Sequence, residues 1–566
     1  MALRQYTWFR FGRKHPNEID PDEILIDSEN LPNFNIHQFE GRLEKPVSKR
    51  SIYSVIAFFV LVVLIFLTRI WSLQVANGSA YAHISENNRL KHILIFADRG
   101  IIEDRNGILL AWNDPIEGKD SPRRAYIQKD GFAHLLGYTT APQKDTSGYY
   151  YEENFIPHEG VEEEFTSFLS GKNGLKIIET DALGKIVSES LLNPSKPGEE
   201  LKLSIDADLQ GALYQAIKNL AEKVDFQGGA GAIMDIHTGE ILALTSYPEY
   251  SPQILSDGSN REAISAYMKS MRTPFLNRGV NAFIPGSVIK PYLALGALTE
   301  GIISPEKKIL STGSIAVPNP YFPGKESVFT DWKAHGEVDM RRAIAVSSNV
   351  YFYEIGGGYK DQKGLGITRI EKYMRLFGFG EKTGIDLGGE KEGVVPSPQW
   401  KRETFQGEEW RLGDTYNTAI GQYGVQVSPI QLLRATASIA NNGILLTPTV
   451  KKLFEAPLIR EKDRVPISPS YFQIIREGMR EGVLDGTARA LNTSLVKVGA
   501  KTGTAELGVT KQKVNSWVSG FFPYDNPRYA FVVLMEKGQR KNLFGSPLVM
   551  LEVFEYMAQQ KPEMLE

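Results

Sequence analysis

The apolar residues of this 566-residue chain form one long uncharged run followed by many short ones. Residues 51–68 contain no charged side chain and lie between Arg50 and Arg69. Eighteen helical residues span about 27 Å, close to the hydrocarbon thickness of a bilayer. A buried core helix or a cleaved signal peptide would show a similar run, but the polar segment before it is too long for the charged start of a signal peptide. The pattern therefore predicts an uncleaved transmembrane helix over residues 51–73.

Basic residues are concentrated on the N-terminal side of this run. Arg42, Lys45, Lys49 and Arg50 precede it, whereas only Arg69 lies directly beyond it. Basic residues flank membrane helices preferentially on the cytoplasmic side, so we expect a cytoplasmic N-terminus. With a single span, nearly all of the chain after residue 75 is then expected to be extracytoplasmic. Residues 1–50 show no sustained apolar period and are predicted to form a flexible cytoplasmic tail.

The shorter apolar runs predict an α+β fold with a mixed sheet covered by helices. Short β-type runs begin near residue 98, and Asn106-Gly107 between two of them is typical of a hairpin turn. Later runs predict strands over 230–234, 240–246, 517–522 and 529–536, and helices over 207–223 and 547–557. The helix-breaking residues at 193–198 indicate a domain boundary. The predicted order is a tail (1–50), a transmembrane helix (51–73), a β-rich domain (74–200) and a second domain (201–566).

Composition narrows the function classes. The net charge of −3 provides no basic surface for nucleic acid. The absence of cysteine excludes disulfides, a thiol nucleophile and a cysteine-ligated metal. Three consecutive acids, Glu162, Glu163 and Glu164, are predicted to be a solvated helix face and not a metal site.

Ser287 and Lys290 are the first candidate catalytic pair. They follow the turn-forming Pro285-Gly286 and precede an apolar, helix-like run, so both side chains are expected on one face of a helix. Ser287 in a first turn would have free backbone N–H groups beside it, and Lys290 in a dry setting would become a base. The spacing alone is weak evidence, because Ser304 and Lys307 share it in a polar stretch.

Two further segments complete the candidate site. Ser347 and Asn349 place a hydroxyl and a carboxamide in an apolar segment, where core hydrogen bonding is an equally good explanation. Lys501-Thr502-Gly503-Thr504 continues a predicted strand, and its glycine would let a substrate backbone lie against the strand edge. The same Lys-Thr-Gly sequence occurs at residues 382–384 in a loop-like setting, so this triplet alone is weak evidence for an active-site strand.

The three segments in this order resemble the signature of penicillin-binding proteins and serine β-lactamases. Arg-Gly-Ile-Ile-Glu-Asp-Arg-Asn-Gly at 99–107 is similar to the first motif of the membrane-proximal pedestal domain in class B transpeptidases. Segments at 332–339, 351–353, 382–387, 413–415 and 420–422 resemble the elongation type, the penicillin-binding protein 2 family, more than the division type. Two departures are the insertion of Tyr423 after a Gly-Gln pair, and Asn-Ser-Trp at 515–517 in place of the usual His-Ala-Trp.

The resemblance implies a pedestal over 74–200, a serine β-lactamase-like transpeptidase domain over 201–566, and a peptidoglycan D,D-transpeptidase that acts in cell elongation. Ser287 would attack the D-Ala-D-Ala stem peptide, Lys290 would take its proton, and Ser347, linked to Lys501 or Lys290, would protonate the leaving amine. The other implied roles are an amide contact at Asn349, a carboxylate site at Thr502 and Thr504, close substrate approach at Gly503, and an oxyanion hole at the N–H groups of Ser287 and Thr504.

Implied ligands and partners are peptidoglycan stem peptides, β-lactams, a glycosyltransferase of the SEDS (shape, elongation, division and sporulation) family and elongation scaffold proteins. No cofactor is expected. Some elongation-type relatives carry a metal, and Asp331 and His335 are spaced for one, but without cysteine we expect none. The alternatives are a division-type (septal) transpeptidase, a non-catalytic β-lactam-sensing receptor, which would need a cytoplasmic effector domain or more spans, and a β-lactamase, which the anchor disfavours.

Overall fold

The computed structural model describes residues 48–118, 120–181, 185–319 and 321–566. The predicted cytoplasmic tail lies outside these ranges apart from its last three residues. The chain divides into two compact units, one ending at Arg89 and one beginning at Leu90.

The first unit contains the predicted apolar helix. Helix α1, Lys49–Trp71, has 23 residues and therefore a length of about 35 Å. It begins at Ser48, whose hydroxyl accepts a hydrogen bond from the N–H of Ser51. A π-helical turn, Ser72–Ala76, and helix α2, Gly78–Arg89, follow. No residue of α1 is buried, and the helix is long and apolar enough to cross a membrane.

The second unit begins with a β-rich part that forms a three-stranded sheet of order β1–β9–β10 and a four-stranded sheet of order β11–β2–β3–β4. Its elements are β1 Leu90–Ile95, β2 Ile102–Glu103, β3 Leu109–Asp114, β4 Arg123–Tyr126, α3 Ala133–Leu136, β5 Tyr138–Thr140, β6 Gln143–Lys144, β7 Tyr150–Glu152, β8 Ile156–His158, α4 Gly160–Glu164, α5 Thr166–Leu169, β9 Gly174–Thr180, β10 Ile186–Asn193 and β11 Leu201–Lys202.

The hairpin predicted at Asn106-Gly107 joins the antiparallel strands β2 and β3. The carboxylate of Asp104 accepts hydrogen bonds from the N–H groups of Asn106 (2.7 Å) and Ile108 (2.8 Å), which fixes the turn. The apolar alternation and the turn residues were therefore sufficient to predict this local structure.

The prediction of a solvated face was wrong for Glu162. Its side chain is completely buried and lies 2.5 Å from Arg99 Nε and 2.7 Å from Arg124 Nε. Burial alone would raise the pKa of this carboxyl, but the two guanidinium groups hold it below its ordinary value. Glu163 and Glu164 are exposed as expected. The three acids differ because only Glu162 points toward the two arginines.

The remaining elements comprise a five-stranded sheet with helices on both faces and two separate two-stranded sheets. They are α6 Ala207–Val224, β12 Gly228–Asp235, β13 Ile241–Tyr247, α7 Pro252–Asp257, α8 Arg261–Lys269, α9 Lys290–Thr299, β14 Ile309–Ser311, β15 Ser314–Pro318, β16 Glu326–Thr330, β17 Gly336–Val338, α10 Met340–Ala345, α11 Asn349–Gly357, α12 Gly366–Leu376, α13 Pro398–Thr404, α14 Leu412–Ala419, α15 Pro429–Ala440, α16 Pro469–Asp485, β18 Gly499–Leu507, β19 Lys513–Phe522, β20 Tyr529–Gln539 and α17 Pro547–Gln560.

The main sheet has the order β13–β12–β20–β19–β18, and every neighbouring pair is antiparallel. Along β20, Ala530, Val532 and Leu534 enter one hydrophobic core, whereas Phe531 and Val533 enter the other. A strand with both faces buried reads as a continuous apolar run, which is why its position was predictable. Helices α6 and α17 cover one face, and α15 packs on the other. The predicted α+β class is confirmed, and β18 lies at one edge of the sheet.

Candidate active site

Ser287 lies in a 3₁₀ turn, Gly286–Ile289, that runs directly into α9. Side chains three residues apart eclipse one another in a 3₁₀ helix, so Ser287 and Lys290 project from the same face. Gly286 has a φ of +62°, and a Cβ there would lie 2.9 Å from the carbonyl oxygen of Thr504. Glycine is required because the backbone is left-handed and the turn lies against β18.

The edge strand β18 carries Lys501, Thr502, Gly503 and Thr504. A Cβ at Gly503 would lie 2.6 Å from the carbonyl oxygen of Pro285, so this glycine allows the turn to approach the strand. Within the sheet, Gly503 is paired with Trp517 of β19. The fully buried indole of Trp517 donates a hydrogen bond to the carbonyl of Ile284 (2.9 Å). The predicted nucleophile and the predicted strand are therefore neighbours.

Ser347 and Asn349 lie where α10 ends and α11 begins. Lys290 Nζ donates to the carbonyl of Ser347 (2.8 Å) and to Asn349 Oδ1 (2.7 Å), and it lies 3.4 Å from Ser347 Oγ. Lys501 Nζ donates to Ser347 Oγ from 2.8 Å. The structure thus brings all three predicted segments together, with two lysines meeting at one hydroxyl. Ser347 has a φ of +57°, an uncommon conformation for a residue other than glycine.

Both lysines are completely enclosed by protein, which determines their protonation. Burial lowers the pKa of Lys290 from 10.5 to about 7, although the negative charge of Asp331 opposes the shift. Burial also lowers the pKa of Lys501 well below its ordinary value, and the positive charge of Lys290 lowers it further. Two ammonium groups cannot share one hydroxyl without strong repulsion. The site therefore favours at least one neutral amine at neutral pH, which is what a base requires.

The expected contact between Ser287 and Lys290 is not made as a hydrogen bond. Ser287 is half-buried, and its hydroxyl makes no hydrogen bond to a described residue. The donors of Lys290 are directed instead at Ser347 and Asn349. Catalytic hydrogen bonds often tighten only when substrate is bound, so this geometry does not exclude Lys290 as the base. That role stays a prediction.

The predicted carboxylate site contains a residue that sequence reasoning missed. Thr502 Oγ1 donates a 2.6 Å hydrogen bond to Oγ1 of Thr487, which lies in the loop after α16. Thr504 is exposed on the same strand. The N–H of Thr487 is fixed by the carbonyl of Ala345, the last residue of α10. Thr487 is remote from Thr502 in sequence and belongs to no recognisable motif, so no sequence signal indicated it.

The two departures from the family pattern lie beside this site. The N–H of Gly286 donates to the carbonyl of Gly421 (3.0 Å), two residues before Tyr423. Tyr423 has a φ of +53°, and its ring packs against Trp400 and Trp410. Asn515 accepts a hydrogen bond from the N–H of Lys537 within the sheet. Lys382-Thr383-Gly384 lies in a loop outside the active-site strand, as predicted.

Asp331 and His335 lie together near the Ser347–Asn349 turn. His335 Nε2 is 3.7 Å from Asp331 Oδ1, beyond hydrogen-bonding distance. Within the residues that the structure describes, no group of three or more His, Cys, Asp or Glu side chains is placed to hold a metal ion. The expectation that this protein uses no metal stays a prediction.

Comparisons with known proteins identify two matching family models and several relatives. The family model described as the penicillin binding protein transpeptidase domain matches residues 229–549, and that of the penicillin-binding protein dimerisation domain matches 115–203. Peptidoglycan D,D-transpeptidase MrdA of Acinetobacter baumannii is 28% identical, with the match covering 88% of this chain and 86% of that protein.

Two solved structures are similar in fold. Penicillin-binding protein 2 (PBP2) of Helicobacter pylori, solved in complex with MreC, is 27% identical with a TM-score of 0.68 and covers 83% of this chain and 99% of its own. A chain from a peptidoglycan synthase complex that coordinates polymerization and crosslinking is 26% identical with a TM-score of 0.69, covering 90% of this chain and 99% of its own.

Proposed function

Because this chain belongs to the penicillin-binding protein transpeptidase family, we propose that it is a peptidoglycan D,D-transpeptidase that cross-links stem peptides through an acyl-enzyme on Ser287. The observation that carries the proposal is the convergence of Lys290 and Lys501 on Ser347, beside the turn that presents Ser287 to the edge of β18.

Acylation begins when neutral Lys290 takes the proton of Ser287. The freed oxygen attacks the carbonyl between the two terminal D-alanines, and the resulting oxyanion is held by the N–H groups of Ser287 and Thr504. Ser347, which accepts a hydrogen bond from Lys501, passes a proton to the departing amine. The C–N bond breaks, D-alanine leaves, and the remaining peptide stays esterified to Ser287.

Resolution of the acyl-enzyme reverses the proton transfers. The amine of a neighbouring stem peptide loses a proton to the same relay and attacks the ester carbonyl. A new amide bond forms, and Ser287 Oγ leaves with a proton returned from Lys290. The reaction exchanges one amide bond for another, so it requires no cofactor. A β-lactam acylates Ser287 in the same way, but its ring-opened amine stays attached.

The edge of β18 aligns the donor peptide. A strand at a sheet edge offers unpaired N–H and C=O groups, to which an extended peptide adds as a further strand. Gly503 lets the turn that carries Ser287 lie directly against this strand. Thr502 and Thr504 bind the terminal carboxylate, and Asn349 holds a substrate amide. Asn349 already contacts Lys290, so substrate binding and base positioning are coupled.

The anchor, domain limits and partners are further parts of the proposal. Helix α1 holds the protein in the inner membrane with its N-terminus in the cytoplasm, and the domains span 74–200 and 201–566. The enzyme acts in elongation with a SEDS-family glycosyltransferase and a scaffold protein. Support comes from its similarity to MrdA, to a PBP2 solved with MreC, and to a chain of a peptidoglycan synthase complex. Rounding of depleted cells would support elongation, whereas filaments would indicate division.

The direct test is labelling of the detergent-solubilised full-length protein by a fluorescent penicillin. Ser287→Ala should abolish labelling while leaving the unfolding temperature within a few degrees, since the hydroxyl has no hydrogen-bond partner among the described residues. Ser304→Ala is the matched control, because Ser304 and Lys307 have the same spacing in an exposed loop. It should label like the wild type. Undiminished labelling of Ser287→Ala would refute the assignment.

A further inference from the structure

A buried carboxylate that the mechanism does not use lies beneath the Ser347–Asn349 turn. The side chain of Asp331 is fully buried in the connection between β16 and β17. Its Oδ2 accepts hydrogen bonds from Ser348 Oγ (2.9 Å), Ser311 Oγ (3.3 Å) and the N–H of Val350 (3.0 Å). Three donors on one oxygen make Asp331 the centre of a buried polar cluster.

These contacts fix the turn that carries two catalytic groups. Ser348 is the residue between Ser347 and Asn349, and Val350 follows Asn349 directly. Ser348 also begins α11 by accepting a hydrogen bond from the N–H of Tyr351. Asp331 therefore holds the chain both within and immediately after the turn. Such support is needed because Ser347 adopts a left-handed conformation that persists only when its surroundings impose it.

Asp331 also acts on Lys290 through its charge. Burial alone would raise the pKa of this carboxyl, but the N–H groups of Val350 and Asn349 and the charge of Lys290 hold it below its ordinary value. Asp331 is therefore ionised at neutral pH. Among the described residues, Lys501 and His335 also act on Lys290 or on Asp331 through their charge, and burial lowers the pKa of both. Asp331 is the described anionic group whose charge raises the pKa of Lys290.

We propose that Asp331 is a positioning residue for transpeptidation, which holds the Ser347–Asn349 turn against Lys290 and supplies the negative charge that tunes this base. The proposal rests on the proposed function, because it assigns a role toward Ser347, Asn349 and Lys290 in that reaction. Asp331 itself touches no reacting atom.

The test separates position from charge by measuring acylation by a fluorescent penicillin across pH. Asp331→Asn keeps an oxygen for Ser348 but removes the charge, so the plateau rate should fall by roughly tenfold or more. Without that charge the pKa of Lys290 falls further, so the acid limb of the profile should move to lower pH. Ser348→Ala should lower the plateau rate without moving the limb, because the carboxylate remains.

The matched control is Asp339→Asn. Asp339 accepts a hydrogen bond from the N–H of Arg342 at the start of α10, the helix that precedes the same turn. Because asparagine caps a helix about as well as aspartate, this variant should keep both the plateau and the acid limb of the wild type. That result would exclude a general effect of removing a carboxylate from the region. An Asp331→Asn profile that matches the wild type in plateau and limb would overturn the proposal.

Two results keep the test decisive. Should Asp331→Asn fail to fold, acylation of both Ser348→Ala and Ser311→Ala within twofold of the wild type would also overturn the proposal. Failure of the proposed function is recognised separately, because Ser287→Ala would then still be labelled. An unaltered Asp331→Asn together with an unlabelled Ser287→Ala would remove only the positioning role.

Discussion

Replacement of Gly503 by alanine should disable the enzyme without removing any catalytic group. The added Cβ would lie 2.6 Å from the carbonyl oxygen of Pro285 and 3.2 Å from the backbone nitrogen of Val288. An unstrained C···O contact is about 3.3 Å, so the turn that carries Ser287 must move by roughly 0.7 Å. Displacements of this size can reduce a rate by about a hundredfold, or about 2.7 kcal/mol of transition-state stabilisation. The overpacking should cost a further 1–3 kcal/mol or so of folding stability.

The assay is the second-order rate constant for acylation by a fluorescent penicillin, measured together with thermal unfolding. Gly388→Ala serves as the control, because a Cβ at Gly388 would meet nothing closer than 3.9 Å. We expect the control to acylate normally. If Gly503→Ala acylates within twofold of the wild type at an unchanged unfolding temperature, the turn is not held against β18 as described.

Three further predictions follow from the same structure. Lys290→Ala should lower the acylation rate about a thousandfold or more. The wild-type rate should fall as the pH drops through about 7, where Lys290 becomes protonated. A wild-type rate that does not depend on pH, or a near-normal rate of the variant, would show that Lys290 is not the base. Thr487→Val removes the hydrogen bond to Thr502 and should lower the acylation rate roughly two- to tenfold. Thr502→Val removes the same hydrogen bond together with a hydroxyl proposed to bind the substrate carboxylate, so the rate should fall at least as much. A Thr487→Val rate equal to that of the wild type would show that Thr487 has no role. Glu162→Gln leaves two guanidinium groups without their anion and should lower the free energy of unfolding by about 3–5 kcal/mol. Because folding lowers the pKa of Glu162, its contribution to stability is present above the unfolded-state pKa and is lost as the pH falls through the folded-state pKa. An unchanged unfolding temperature of the variant at neutral pH would contradict this prediction.

Local patterns were enough to predict the scaffold of the site. The apolar run that begins β20 is continuous because both faces of this strand are buried, and the strands predicted at β12, β19 and β20 lie within four residues of their observed bounds. The turn residues Pro285-Gly286 correctly indicated where the chain enters α9. The three-residue spacing of Ser287 and Lys290 was sufficient to predict that their side chains share one face, because a 3₁₀ turn, like an α-helix, places residues three apart on the same face.

The remaining features depend on contacts between distant segments. Thr487 reaches Thr502 from a loop, and Asp331 reaches Ser348 from a strand connection, so neither belongs to a periodic pattern. Glu162 was assigned to a solvated face because three consecutive acids usually are solvated, yet it is buried by two arginines that come from other strands or loops. The hydrogen bonds of Lys290 to Ser347 and Asn349 likewise arise only when α9 and α11 meet.

The central claim is that Ser287 is acylated at its own hydroxyl by a D-Ala-D-Ala mimic. Intact-mass measurement of the full-length protein after treatment with benzylpenicillin, followed by peptide mapping, tests it most directly. The account predicts a gain of one benzylpenicillin mass, located on the peptide that contains Ser287 and absent from Ser287→Ala. An adduct on any other peptide, or no adduct on a folded protein, would contradict it.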